Sequence, residues 1–485
     1  YTNVDGSKCV AIGTNALLTQ EPASAVDMYN VAVGYNAGYA VTTGINNTLI
    51  GSLAGDALTT GSGSVALGYN ALGSTTTAIE NVAIGINALV ANVDGAKNVA
   101  VGSYALTALD PASATDMYNV AVGHQAGTAI TTGAYNTLIG GLAGDALTTG
   151  EMNVAVGYGS LGSEDGNGKC VAIGMSALTS QNAGGEAYNV AVGYNAGYAV
   201  TTGTLNTIVG GLAGDALTTG NRNVAIGYEA LSTEDTGSRN VAIGEGSLTL
   251  LNYDGAAYNV AIGYDSGHAM TTGTLNTLIG GTAGDALTTG AANVAMGYGA
   301  LGLEDTGGRN VAIGYNSLSA LNYDGHAYTT AVGYAAGALI TTGLYNTILG
   351  ANAGLALTTG GENVAVGFES LMTEDAHGRN VALGYKTLRL QDAGAEAYNV
   401  AVGYAAGSAV TTGVQNTLIG GNAGDALTEG GENTIIGYTA GGAMTIGNYN
   451  TALGRSALSS SVDGDHNTAI GYNALQDYED GDGNG

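Results

Sequence analysis

Adjacent carboxylates recur at even spacing: Glu164-Asp165, Glu234-Asp235, Glu304-Asp305 and Glu374-Asp375 lie 70 residues apart. Neighbouring carboxylates on a turn, joined by backbone carbonyls and water, form a ligand set for calcium. The alternative is a solvated acidic turn that aids solubility. Successive pairs lie four repeats apart, roughly 19 Å at one strand spacing per repeat, so no two pairs share an ion. The strings GGLAGD that end at Asp145 and Asp215 differ from calcium-binding rolls, which need G-G-x-G-x-D on a nine-residue half-period.

Other reactive residues are scattered. His124, His268, His326, His377 and His466 occupy different positions of the repeat and distant repeats, so the sequence brings together no acid–base or nucleophilic constellation. The expectation is a chain without catalysis. A G-x-G-x-x-G string occurs at Gly157, Gly159 and Gly162 and again at Gly297, Gly299 and Gly302, but inside the repeat rather than between a strand and a helix, where a dinucleotide site needs it. Cys9 and Cys170 stand nine repeats apart. That is roughly 43 Å at one strand spacing per repeat, which excludes a bond within one chain. Free buried thiols, or a link between copies, remain.

Composition sets these residues in an unusual chain. Of 485 residues 84 are glycine, two are proline and none is tryptophan, and nearly all aromatic residues are the 29 tyrosines. A mean hydropathy of +0.16 with 45% apolar residues is too apolar for disorder. The glycines follow no G-X-Y period, which excludes collagen. Ten basic against 39 acidic residues leave a net charge of −29, which repels nucleic acid and anionic lipid and keeps an apolar-cored assembly soluble. With no apolar run of about 18 residues, no membrane-inserted helix is expected.

A fixed period organises everything else. The glycine of N-x-x-[VIL]-G recurs 27 times from Gly13 to Gly471, mostly at 17-residue intervals, with 19 or 21 where a loop is longer. From Gly123 to Gly403 the order 17, 17, 17, 19 makes a 70-residue super-repeat. Each unit reads as a strand such as NVAVG or NTLIG, a turn, a second short segment such as NAGYAV, and a Thr/Gly-rich turn. Seventeen residues leave no room for a helix and two strands. The reading is therefore an all-β, parallel β-solenoid (β-roll) of about 27 coils, one continuous domain over 1–485, with coils stacked about 4.8 Å apart. Longer coils fall at 14–34 and 103–123, where Pro22 and Pro111 sit in extended loops, and 476–485 reads as an acidic tail. The opening at Tyr1, in mid-pattern, reads as a mature or trimmed terminus.

The columns of this alignment carry the structural expectations. The residue before each motif glycine, such as Val33, Ile50, Leu67, Ile84 or Met296, is always aliphatic or Met and is expected to form an inward ladder. The column two before the glycine holds Ala, Leu or Ile, as at Ala32, Leu49 and Leu138, and is expected to be covered by a second sheet of the same coil or by other copies. Four before the glycine stands asparagine in 23 of 27 coils: Asn30, Asn47, Asn81, Asn98, Asn119, Asn136, Asn153, Asn189, Asn206, Asn223 and Asn240 in the first half, with Cys9, Ser64, Cys170 and Thr329 as exceptions. Stacked amides hydrogen-bond along the axis. Tyrosine often follows the glycine, as at Tyr35, Tyr69, Tyr158, Tyr228 and Tyr298, and reads as a contact surface between copies, a glycan-stacking surface, or plain exposure. The paired threonines of TTG, as in Thr42-Thr43, read as turn residues ahead of an ice-binding array.

NVAVG, NVAIG and NTLIG followed by Y-N-A-G or Y-N-A-L resemble the head repeats of YadA-like trimeric autotransporter adhesins. They are still more similar to the NTAIGYNAL-type arrays of phage tail fibres and bacterial surface proteins. The resemblance covers nearly the whole chain, although those heads run near 14 residues per repeat. It implies a left-handed parallel β-roll, commonly trimeric, displayed outside the cell or virion. The expected function is a structural fibre or shaft that self-associates as a trimer or an end-to-end filament, and the alternative is an adhesin that binds a cell-surface glycan or receptor. No cofactor is expected beyond the calcium considered above.

Overall fold

The computed structural model describes residues 6–22, 24–166 and 168–478. The acidic segment 479–485 and the opening five residues lie outside them. Every element is a β-strand; the described residues contain no helix. Each 17-residue repeat forms one coil with one three-residue strand, such as Val31–Val33 or Thr207–Val209, and the remainder of the coil is turns. The second short segment, such as NAGYAV, forms turns and no strand. Glycine and left-handed residues there bend the chain too tightly for a ladder.

The chain divides into two compact units, one comprising residues 1–240 with 252–256 and the other 241–251 with 257–485. In the first, thirteen motif strands from Val10–Ile12 to Val224–Ile226 pair parallel and in register, as Val31↔Thr48, Ala32↔Leu49 and Val33↔Ile50. The second stacks fourteen, from Val241–Ile243 to Thr468–Ile470, in the same way. This is a parallel β-solenoid with 27 coils counted over both units. The longer coils add minor parallel pairs, Gly6–Ser7 with Val26–Asp27 and Gly95–Ala96 with Thr115–Asp116.

Turns stack as faithfully as strands. Asn36 N–H donates to Thr14 O at 2.9 Å, Gly38 N–H to Ala54 O at 2.9 Å and Thr59 N–H to Thr76 O at 2.9 Å, all between neighbouring coils. Three columns hold left-handed backbone in nearly every coil: the residue two after the glycine, as Asn36 (φ 55°), the one four after it, as Leu89 (φ 51°) and Gly144 (φ 56°), and the one five before it, as Tyr118 (φ 52°) and Lys169 (φ 67°). Asparagine is common two after the glycine and glycine four after it, because left-handed backbone costs other residues about 1–2 kcal/mol. The motif glycines have φ between 128° and 144°, a region nearly closed to residues with a Cβ. At Gly140 a Cβ would also stand 2.5 Å from Gly157 O. Backbone approaches backbone at this corner of the coil.

The inward column is not the one before the glycine. Val33, Ile50 and Ile84 are half-buried and Leu67 and Met296 exposed, whereas Ala32, Leu49, Ala83 and Leu138 are completely buried. Alternation along a strand admits only one of two neighbouring columns to the interior. The core is completed within the coil by the residues three, four and seven after the glycine, such as Ala88, Leu89 and Leu147. No second sheet is needed.

Core volume is shared between neighbouring coils. Where the inward strand residue is Ala in a coil and in the next one, the residue four after the first coil's glycine is Leu, as Leu161 for Ala155 and Ala172, and Leu178 for Ala172 and Ala191. Where one of two coils carries Leu138, both neighbours are glycine: a Cβ at Gly127 would meet Leu138 Cδ1 at 2.7 Å, and one at Gly144 would meet Leu138 Cδ2 at 2.9 Å. One leucine thus fills the space of two side chains. Ile208, Leu278, Ile348 and Leu418 repeat the arrangement.

Leu138→Ala is expected to open a cavity between Gly127 and Gly144 and to cost about 3–5 kcal/mol, read by denaturant unfolding and by hydrogen exchange concentrated in the neighbouring coils. Adding Gly144→Leu is expected to recover a large part of the loss by restoring the Ala155–Leu161 type of pairing. A double variant no more stable than the single one would refute the shared-volume account.

Candidate functional site

The asparagine column is buried and does structural work. Asn47 Nδ2 donates to Asn30 Oδ1 at 3.2 Å, so the expected amide-to-amide contact exists, with further examples at Asn98–Asn81 and Asn136–Asn119. The recurring bonds, however, go to backbone. Asn206 Oδ1 accepts the Asn223 N–H one coil on at 2.9 Å, and Asn206 Nδ2 donates to Gly220 O, fourteen residues on, at 2.9 Å. Each amide therefore ties its own turn closed and caps the next strand. The exceptions keep part of this pattern: Ser64 Oγ accepts the Asn81 N–H, and Thr329 Oγ1 donates to Gly343 O. Asn310 and Asn380 begin 19-residue coils, and their Nδ2 groups have no protein partner.

The acidic pairs do not face solvent together. Glu164, Glu234, Glu304 and Glu374 are completely buried, in the interior column that Leu147, Leu217, Leu287 and Leu357 occupy one coil earlier. The solvated-turn reading therefore fails for the glutamates. Their partners Asp165 and Asp375 are exposed, Asp235 and Asp305 half-buried, and the aspartate backbone carbonyls accept Thr148, Thr218, Thr288 and Thr358 from the preceding coil.

Glu234 Oε1 accepts Gly237 N–H at 2.6 Å and its Oε2 accepts Tyr253 N–H at 3.2 Å; Glu304 makes the corresponding bonds to Gly307 at 2.6 Å and Tyr323 at 3.4 Å. These two carboxylates are spent on loop backbone, not aimed outward as a calcium set with their aspartates. Desolvation raises all three of Glu234, Glu304 and Glu374, the last two to about 7, against the lowering by their backbone donors. Gln181 and Gln391 fill the same column elsewhere and donate to Thr201 O and Thr411 O while accepting Asn189 and Asn399 Nδ2.

The fourth pair departs from the others. At its third position after glutamate stands His377, where Gly237 and Gly307 stand in the second and third. Glu374 Oε1 accepts His377 N–H at 3.2 Å and lies 3.7 Å from His377 Nδ1, while Oε2 has no protein partner. The sequence reading treated His377 as isolated. Histidine at a position where the second and third copies carry glycine and the first Asn167 was the signal available.

Outward, the column before each glycine and the tyrosines after it form an apolar face. Tyr35, Tyr69, Tyr158, Tyr228 and Tyr298 are all more than half exposed. In the second unit rings stack coil upon coil: Tyr298–Tyr315–Tyr334 at 5.8 and 5.4 Å, and Phe368–Tyr385–Tyr404 at 5.5 and 5.1 Å. Elsewhere the left-handed column five before the glycine places a cation over the tyrosine of the next coil, Lys8 on Tyr29, Lys97 on Tyr118, Lys169 on Tyr188, Arg309 on Tyr328 and Arg379 on Tyr398. Seven of the ten basic residues sit in that column, a placement the sequence reading missed. Carboxylates join some of these pairs, as Asp27 at 2.6 Å from Lys8 and Asp116 at 2.6 Å from Lys97.

Both cysteines are free. Cys170 is buried, and desolvation pushes its thiol up to about 11, whereas Cys9 is half-buried and accepts Gln20 Nε2 at 3.1 Å. Gly157, Gly159 and Gly162 lie at a strand end and in the turns of a single coil, with no helix following.

Because the folded state raises Glu234 and Glu304 above the ordinary glutamate value, they favour folding fully below about pH 4.5 and lose that contribution as pH rises through their raised values, about 7 for Glu304. The half-buried Asp56, Asp145, Asp285 and Asp425, also raised by desolvation, act in the same direction. The unfolding midpoint is therefore expected to be higher at pH 5 than at pH 8, and Glu304→Gln to remove on the order of 1–2 kcal/mol of that difference. Equal midpoints at the two pH values would contradict the burial account. No protein-family model matches the chain, and no curated protein or solved structure is significantly similar to it.

Proposed function

We propose that the chain is a structural, non-catalytic element of an extracellular fibre or shaft, on a cell surface or virion, assembled by association of copies through its aliphatic and tyrosine face. The observation that carries this reading is the column before the motif glycine. It is Val, Ile, Leu or Met in all 27 coils, yet it lies at the surface of the single chain, with Leu67, Leu349 and Leu383 each more than 40% exposed. Apolar surface that recurs coil after coil within each unit is covered in a working assembly. The partner that matches it coil for coil is one with the same rise and the same columns, a second copy of this chain. A trimer brings three such faces together; an end-to-end filament would instead use the strand edges of terminal coils. The likeness of the motifs to trimeric adhesin heads and tail-fibre arrays supports the same reading.

The net charge of −29 opposes association at low salt and is screened as salt rises. Sedimentation equilibrium of the full chain is expected to give a discrete oligomer whose population grows with ionic strength. Leu349→Lys with Leu383→Lys, which places like cations on the face without entering the core, is expected to return it to monomer with unchanged circular dichroism. A wild-type chain that stays monomeric from low to physiological salt at high micromolar concentration would overturn the proposal.

The stacked rings of Tyr298, Tyr315 and Tyr334 favour a second reading, an adhesin that stacks sugar rings on this platform. Saturable binding on a glycan array, reduced at least tenfold by Tyr315→Ala, is its expected mark. Binding indifferent to that substitution would exclude the platform.

A further inference from the structure

We infer that Glu374, Asp375 and His377 form a site for one divalent transition-metal cation of the zinc type. Their donor atoms lie within 4.8 Å of one another, one from each side chain. His377 Nδ1 and Glu374 Oε1 are 3.7 Å apart. Two ligands at about 2.0–2.2 Å from a tetrahedral ion are separated by roughly 3.5 Å, so small side-chain rotations bring the set to bonding distance. The independent observation is Glu374 Oε2. Glu374 is completely buried, and this oxygen has no protein partner; a buried carboxylate oxygen left unpaired is costly and calls for a counter-charge or donor. His377 Nδ1 is also buried without a hydrogen-bond partner.

Comparison with the sister coils isolates what is special. Glu234 and Glu304 have both oxygens bonded by loop N–H groups, the second from Tyr253 and Tyr323. Nineteen residues after Glu374 stands Ala393, in the loop Gln391–Asp392–Ala393, and its N–H makes no such bond to Glu374. One backbone donor to Oε2 has gone, and an imidazole stands beside Oε1 of the same carboxylate. Asp392 adds negative potential to the site, so two ligating carboxylates and a third nearby face a position with no cation of the chain bonded to it. The imidazole selects a borderline ion over calcium, which takes oxygen ligands. One imidazole and two carboxylates leave a fourth position for water.

Such an ion would brace a loop to the interior column, a task that the Tyr253 and Tyr323 N–H groups perform in the second and third copies. It is independent of the face proposed for association.

The test is isothermal titration of the tag-free full chain with zinc, together with cobalt absorption spectra and thermal unfolding with and without zinc. Wild type is expected to bind one zinc per chain, to show a cobalt d–d band, and to unfold at a higher temperature when loaded. His377→Gly installs the residue found in the second and third copies, and His377→Asn the one at Asn167 in the first. Either is expected to lose that zinc equivalent and the thermal shift while circular dichroism is unchanged. No zinc uptake by wild type, or uptake and cobalt band unaltered in the variants, would overturn the inference; the second outcome would place the metal at the cysteines or the other histidines.

Discussion

The structure depends on coils lying in register at one strand spacing, and the buried asparagine is what holds them there. A three-residue strand contributes too few ladder bonds to define a register, since a slip along the chain would cost little at the strand itself. The asparagine four before the glycine removes that freedom. Its carbonyl accepts the next coil's backbone N–H while its amide closes its own turn, so a slipped coil would strand buried polar groups on both sides. The motif glycine acts at the opposite end of the strand, where its backbone conformation and the approach of Gly157 to Gly140 admit no side chain.

Register then dictates how the interior is filled. Every core position meets the equivalent position above and below, so volume must balance between coils rather than within one. That is why Leu138 is accompanied by Gly127 and Gly144, and why alanine strands are accompanied by Leu161 and Leu178. The same logic admits polar residues in the column seven after the glycine wherever leucine already fills the one four after it. Gln181 and Gln391 satisfy themselves against the asparagine column. Glu234 and Glu304 are satisfied by loop N–H groups, and burial holds the Glu304 carboxyl group near neutrality inside an otherwise acidic protein.

The outer face obeys a different requirement. It repeats an aliphatic column and stacked rings that the coil's own core does not need, while seven of the ten cations stand in one left-handed column, several of them against tyrosine and carboxylate. A face this poor in charge is the one proposed above for association, with the remaining acidic charge limiting non-specific clumping. The irregular copy at Glu374 is local to its coil and adds a ligand set without disturbing either column.

Periodicity alone made the coil, its seventeen-residue length, the 70-residue super-repeat and the asparagine column legible, because a period survives any ambiguity in local propensity. Asn30 over Asn47 follows from it directly. Which of two neighbouring apolar columns turns inward was not legible: Val33 and Ala32 are both apolar, and only the direction in which the backbone closes at Gly34 assigns alanine to the core. The glutamates were misplaced for the same reason, since an acidic pair in a glycine-rich turn reads as solvated until the turn is folded and its first member points inside. His377 gained meaning only when the fold set its ring beside Glu374. Sequence by itself determined what repeats and at what interval; tertiary structure decided which side of each coil faces the interior, because that depends on the sense of a closed turn, which a one-dimensional pattern does not encode.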